Sequence, residues 1–539
     1  METNVTEIWL IVESLQRELA LLAANMTSSS IDASTTVSKL NSMGTDMDAL
    51  WLMVGSVLVI LMQAGFAMLE VSCVDAAHTR NMLVKNLLDL AVAAVMWWSF
   101  GWGIAYGGGG GGYAVNPFAG HESFFSRGDE FQDEQGGYGT AEGYNWALFV
   151  FQLSFSGTAV TIVSGAVGAR ITMTGYVVFS HFMGGFIYPV VARWGWNVLG
   201  WASPWSETRD DLLFGCGAID FAGSGVVHAT GGMAALVMVV FMGPRLDRFT
   251  ERGIKQKDEN SVILQTLGAF ILWVGWYGFN GCSTGYITGS SHVAAKAMAV
   301  TTVSAAAAGL GATSASLVIF QHVGSDEVIN GLLSGLVAIT AGCAVVEMEA
   351  AFFIGLVAAI IYLAASRILV SVHVDDMVDA VPVHLANGVW GIVAAGLFAS
   401  KEGYSSSYHA DREMCCGLLY GCGPAQLLAN VSFLLAILAW ASLSTCLVVS
   451  ILKFAGMLRI STVSERQGTD SIAQRGFELP DSTEKMLSRI AKVVSRVGFQ
   501  TTDGDDSARR SASLIPLAST SSVSTVSGRG SFVTGTQRS

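Results

Sequence analysis

From Leu50 onward, apolar stretches long enough to cross about 30 Å of hydrocarbon recur with short polar breaks. They fall at about 48–70, 86–106, 145–168, 173–193, 218–242, 261–282, 294–320, 328–347, 350–372, 381–400 and 425–452. This pattern predicts an all-α polytopic membrane protein with eleven transmembrane helices. An odd number of spans puts the two ends of the chain on opposite sides. The densest short basic loop, Arg245, Arg248, Arg252, Lys255 and Lys257, together with Arg80 and Lys85, marks the cytoplasmic side, so the N-terminus lies outside and the C-terminus inside.

The flanks read differently. Residues 1–46 are polar, and Ile8 to Leu22 has helical apolar spacing interrupted by Glu13, Arg17 and Glu18, which predicts a surface helix of an extracellular segment rather than a signal peptide or a span. Sequons at Asn4 and Asn25 suit a glycoprotein with an outer N-terminus, or arise by chance, as the Asn430 sequon inside an apolar run does. Six successive glycines, Gly107 to Gly112, open an outer loop carrying Glu122, Asp129, Glu130, Asp133, Glu134 and Glu142. Residues 47–453 form the transmembrane domain, and 454–539 form a cytoplasmic regulatory tail, Ser-rich and disordered from about 500. Within that tail, Thr483 to Val497 has the spacing of a basic amphipathic helix.

Composition sharpens the picture. The chain is 52% hydrophobic and only 13% charged, about half the charge density of soluble domains, so lipid must solvate it. Its net charge of −13 excludes a nucleic-acid footprint. With the topology above, the negative excess falls almost entirely on the outer side, where it raises the local cation concentration, or serves ordinary solubility. The eight cysteines show no CxxC spacing, which excludes thioredoxin-type chemistry and structural zinc. Cys216, Cys415, Cys416 and Cys422 fall in outer loops, where disulfides and free thiols are both open readings.

An ionisable side chain inside the bilayer costs about 2.5 to 3.5 kcal/mol on insertion scales, so it is read first as functional. Asp220 and His228 at the start of the fifth predicted span, and His384 early in the tenth, stand out. If the first ten spans form two inverted five-helix halves plus an eleventh helix, the two histidines occupy equivalent positions and meet at the interface. The structural alternative makes each a packed imidazole bonded to a backbone carbonyl. A metal pair is less well supported, because no third ligand stands at a helical offset. Asp220 also reads as a helix N-cap, and Gly223, Gly225, Gly231 and Gly232 as close-packing positions. The aromatics Phe151, Phe155, Trp194, Trp196, Trp276, Tyr277 and Phe279 read either as an interfacial belt or, beside Ser283, as a face holding a small cation.

These residues resemble the ammonium transporter family (Amt/Mep/Rh), eukaryotic Amt branch. The similarity runs through Gln63 to Glu70, Phe151-Gln152-Leu153-Ser154-Phe155, Tyr188-Pro189 with Trp194-Gly195-Trp196, and Asp220-Phe221-Ala222-Gly223-Ser224 to His228 and on to Gly243-Pro244-Arg245. It continues in Gly275-Trp276-Tyr277-Gly278-Phe279-Asn280 and Val383-His384. The resemblance implies a plasma-membrane homotrimer with one pore per subunit, conducting ammonium and methylammonium, with no cofactor and no enzymatic activity. Trp196, Ser283 and Phe155 would bind substrate with Asp220 in support; Phe155 and Phe279 would be the gate, and His228 and His384 the pore-lining pair. Ammonium would shed its proton at the gate and cross as ammonia.

Three departures from the family pattern are visible. Gly168-Ala169-Arg170 replaces Ala-Glu-Arg, removing an inner-side ion pair. Ile472 stands where a tail phosphorylation threonine would be, leaving Ser471 or Thr469 as substitutes. Ala386 to Trp390 is more polar and bulkier than the pattern. An alternative function is an ammonium sensor, or transceptor, signalling through the tail, and a third is a metal-dependent intramembrane enzyme.

Overall fold

A computed structural model of the protein describes residues 3–108, 116–131, 140–205, 211–251, 253–255, 260–410 and 412–470. Most of the glycine run, Asp133 and Glu134, Ser471 and Ile472, the 483–497 stretch and the Ser-rich end lie outside them. Ten described helices are long and apolar enough to cross a membrane: Thr35–Ser72, Ala76–Ala105, Gly143–Val167, Met173–Trp196, Ser224–Met242, Val262–Thr284, Ser291–Phe320, Met348–Ser371, Val381–Phe398 and Ala425–Phe454. Leu310, Ile360, Leu443 and Leu447 point outward from them, as lipid-facing side chains do.

The span predicted at 328–347 differs. Its helix, Ser325–Ile339, is 15 residues long and gives way to turns up to Val346. Thr340 to Val346 is apolar, so hydropathy carried the span past the helix end. This short helix packs against Ser291–Phe320 and Met348–Ser371 and is buried along most of its length from Ile329 onward. The N-terminal expectation also changes: the polar segment is continuous with the first span in one helix, Thr3–Ser72, rather than forming a separate surface helix.

Small residues let the spans approach. Gly232 and Gly388 lie where the two histidine-bearing helices cross: a Cβ at Gly232 would sit 2.4 Å from the Leu385 nitrogen, and one at Gly388 would sit 2.6 Å from the Ser224 carbonyl oxygen. The close-packing reading of the glycines therefore holds, as at other membrane helix contacts.

One end of the bundle is closed by charge. Arg245 makes a bidentate pair with Asp375 (2.8 and 2.9 Å), Arg248 reaches the same carboxylate at 3.3 Å, and the buried Arg170 lies 3.7 Å from it. Arg170, preceded by Ala169, finds its counter-ion across the fold. Burial alone would raise the Asp375 carboxyl, but Arg245 and Arg170 hold it well below the usual carboxylate range. The chain after Phe454 returns beneath this end. Arg459 binds Glu465 and the Met242 carbonyl, Glu465 accepts from the Leu246 amide, and Asp470 caps the helix start at Arg80 and Asn81. At the other end, Cys216–Cys415 and Cys416–Cys422 are disulfides. Asn430 is buried and bonded to Ile219 and Ile392, so its sequon is chance.

Candidate functional site

A cavity of about 320 Å³ opens at the disulfide end of the bundle, and Phe155, Trp196, Ser283, Phe221, Tyr144 and Tyr408 are among its lining residues. Trp196 is the last residue of the helix Tyr188–Trp196, not a loop residue beyond it. Its indole Nε1 donates to the Asp220 carbonyl at 2.7 Å. Ser283 follows a π-helical turn, Tyr277–Gly281, and its hydroxyl donates to the Phe279 carbonyl at 2.6 Å. Because that proton is committed to the backbone, the oxygen presents its lone pairs to the cavity.

Asp220 does not line this cavity. Its carboxylate accepts from the amides of Gly223 (3.1 Å), Gly225 (3.0 Å) and Val226 (2.7 Å), capping the start of the span that carries His228. The cap requires Gly223 at φ +109°, a backbone that side chains rarely adopt, and a Cβ there would meet the Trp196 ring at 3.0 Å. Asp220 therefore orients Trp196 and the helix, the capping role its sequence position predicted.

Below the cavity the aromatic rings form a column. Phe155 stands edge-on to Trp196 at 5.5 Å and lies 4.2 Å from Phe279, centroid to centroid. Phe279 is 5.4 Å from His228, which lies nearly parallel to Trp276 at 5.3 Å and nearly coplanar with His384 at 5.2 Å; Phe66 lies 6.0 Å beyond. The two imidazoles share an Nδ1···Nδ1 hydrogen bond of 3.2 Å, and both are buried. Among the described residues, His228 Nε2 has no hydrogen-bond partner.

Both histidines sit in six-residue π-helical turns opening their spans, Ser224–Ala229 and Val381–Ala386, a distortion frequent at functional sites. The two turns also share an acidic residue ahead of them. Asp376 precedes His384 by eight residues, as Asp220 precedes His228, and it accepts the Val381 amide at 2.6 Å. Asp376 was not singled out from sequence, although this repeated Asp-to-His spacing is the signal that finds it.

An Nδ1···Nδ1 bond requires one ring to donate and the other to accept, so one Nε2 is a bare acceptor and the other carries a proton. The pair therefore offers one donor and one acceptor, which matches a small neutral molecule that both gives and takes hydrogen bonds.

The sequence profile of the Ammonium Transporter Family matches residues 50–477. "Ammonium transporter 1 member 3" of Solanum lycopersicum is 34% identical over 458 residues, covering 82% of this chain and 95% of that protein. "Ammonium transporter 1 member 1" of Oryza sativa subsp. japonica is 36% identical over 422 residues, covering 76% of this chain and 81% of the relative. Among solved structures, "Sensor Amt Protein" superposes with a TM-score of 0.70 at 27% identity, covering 80% of this chain and 98% of that one. Candida albicans Mep2 superposes with a TM-score of 0.67 at 25% identity, covering 77% and 86%. With most of its length matched by the family profile and by these relatives, this multi-pass membrane protein belongs to the Ammonium Transporter Family.

Proposed function

We propose that this chain binds ammonium at Trp196, Phe155 and Ser283, strips its proton near the Phe155 and Phe279 rings, and conducts ammonia past His228 and His384. The observation that carries the reading is the unbroken column of rings leading from a wide cavity to a buried, hydrogen-bonded imidazole pair.

The cation is attracted to the ring faces by about 0.5 to 2 kcal/mol and donates to the Ser283 oxygen. Sodium and potassium lose their water at the ring pair without a cage of oxygens to replace it. Ammonium has a further route, because it can leave its proton on a base. The neutral molecule then passes the gate by displacement of the two phenyl rings and exchanges hydrogen bonds with the bare and protonated Nε2 atoms. Imidazole suits this role because its charge changes within the physiological pH range.

The orientation with the N-terminus outside is supported by the disulfides at the cavity end and the arginine cluster at the other, since disulfides persist in oxidising compartments. We place the protein in the plasma membrane as a homotrimer of eleven-helix subunits, the short helix Ser325–Ile339 counted as the eighth, on the strength of the family resemblance.

The test is voltage clamp combined with labelled methylammonium uptake in cells expressing the chain. Saturable ammonium and methylammonium transport without potassium conduction is expected. Ammonium-dependent partner binding without flux would favour the sensor reading instead.

A further inference from the structure

A second buried ionisable group lies beside the pore, and the path from Trp196 to His384 leaves it unused. Glu70, Lys85 and Asp89 stand in the inner halves of the first two spans, each at most 1% exposed. Glu70 Oε2 accepts from Asn86 Nδ2 at 2.8 Å and from Ser164 Oγ at 2.9 Å, whereas Oε1 has no hydrogen-bond partner. The Lys85 ammonium lies 5.0 Å over the Tyr176 ring and reaches only the Ser164 carbonyl, at 3.5 Å. Asp89 stands beside the hydroxyls of Tyr176 and Thr161, which also reach the Val160 carbonyl and Gln63.

A structural ion pair at this depth needs closed geometry with every lone pair satisfied to offset desolvation. Among the described residues, this cluster leaves the Glu70 Oε1 without a hydrogen-bond partner. It also connects with the pore: Glu70 and His384 line one narrow cavity of about 10 Å³, together with Phe66, Thr161, Asn330 and Val378. That volume is about what one water molecule needs, and the lining supplies polar partners for it.

We propose that Glu70 is the inner proton station of the pore, taking from the histidine pair the proton that ammonium leaves there. The inference rests on the reading above, in which ammonium sheds its proton near the Phe155 and Phe279 rings, with the imidazole pair next to Phe279 as the base that takes it up. At the gate, an N–H bond of ammonium breaks, its electron pair stays on ammonia, and the proton passes to the bare imidazole nitrogen of the pair. The imidazolium then gives a proton through one water to Glu70 Oε1, which restores the neutral pair and forms a carboxylic acid. Glu70 finally releases the proton to water at the inner face and returns to a carboxylate. Around Glu70 stand Lys85 and Asp89 from the second span, Tyr176 from the fourth, His384 across the cavity, and Asp379 beyond Asn330. Lys85 and Asp89 set groups of opposite charge type beside Glu70.

The test is labelled methylammonium uptake per surface-expressed molecule, in light and heavy water, for the parent, Glu70→Gln, Glu70→Asp and His384→Ala. Glu70→Gln should lower the maximal rate about tenfold or more, keep the half-saturating concentration, and enlarge the slowing in heavy water; Glu70→Asp should recover part of the rate. An unchanged maximal rate in Glu70→Gln, or a loss with the parental heavy-water effect, overturns the proposal. If His384→Ala is slowed while Glu70→Gln is not, Glu70 alone is wrong; if His384→Ala is also unchanged, the underlying reading fails. Should Glu70→Gln not reach the surface, Ser164→Ala keeps the carboxylate and removes one donor. It should give a smaller fall at the same half-saturation, and an unchanged rate there overturns the proposal equally.

Discussion

Ser283 shows how a single hydroxyl is made into an acceptor. Its proton is held by the Phe279 carbonyl, so a cation in the cavity meets lone pairs, and a hydrogen bond to a charged group contributes about 1.5 kcal/mol or more. Ser283→Ala should therefore raise the half-saturating ammonium concentration about tenfold; concentration–response curves check this, and an unchanged half-saturation would contradict the role. Gly223→Ala would put a Cβ into a left-handed backbone and against Val227 and Trp196. A loss of about 1 to 3 kcal/mol is expected, read as a lower unfolding temperature in detergent, along with weaker ammonium binding. Asp220 and both histidines stand out in the sequence as costly side chains within spans, whereas the roles expected of Trp196, Phe155, Ser283 and Phe279 come from the family resemblance. Glu70 and Asp89 were not singled out as costly, because span ends judged by hydropathy place them near the interface, and only packing shows them buried.

At the level of elements, the loop carrying Asp375 ties three arginines from two other connections. Removing one partner of a buried ion pair strands the others, at a cost of about 3 to 5 kcal/mol. Asp375→Asn should lower the unfolding temperature markedly at neutral pH. The carboxyl is held below its ordinary value near 4, so its contribution is present above that value and is lost as pH falls toward the folded one. The difference between parent and variant should shrink when melting is repeated below about pH 4. A constant difference at every pH would sink this account. Hydropathy located most spans to within a turn at one or both ends, but it extended the eighth beyond Ile339, because an apolar turn is indistinguishable from an apolar helix by composition. It also gave no sign of the π-helical turns that aim both imidazoles inward, since these arise from capping and packing rather than local propensity.

Across the whole molecule, one end carries disulfides around a wide cavity and the other carries arginines and the returning tail. Cys216–Cys415 pins the chain just before Asp220 to a loop 199 residues later, so it steadies the cap on which Trp196 depends. Breaking a bridge that closes so long a loop costs about 2 to 4 kcal/mol. Cys216→Ser with Cys415→Ser should therefore melt earlier and bind ammonium less tightly, while equal melting would show the bridge to be dispensable. The central claim is that the histidine pair lets ammonia pass where cations cannot. Its most direct test is the ratio of ammonium to potassium transport in His228→Ala and His384→Ala set against the parent. The account predicts that each variant loses ammonium transport or admits potassium; variants that keep both the parental transport and its discrimination would contradict it.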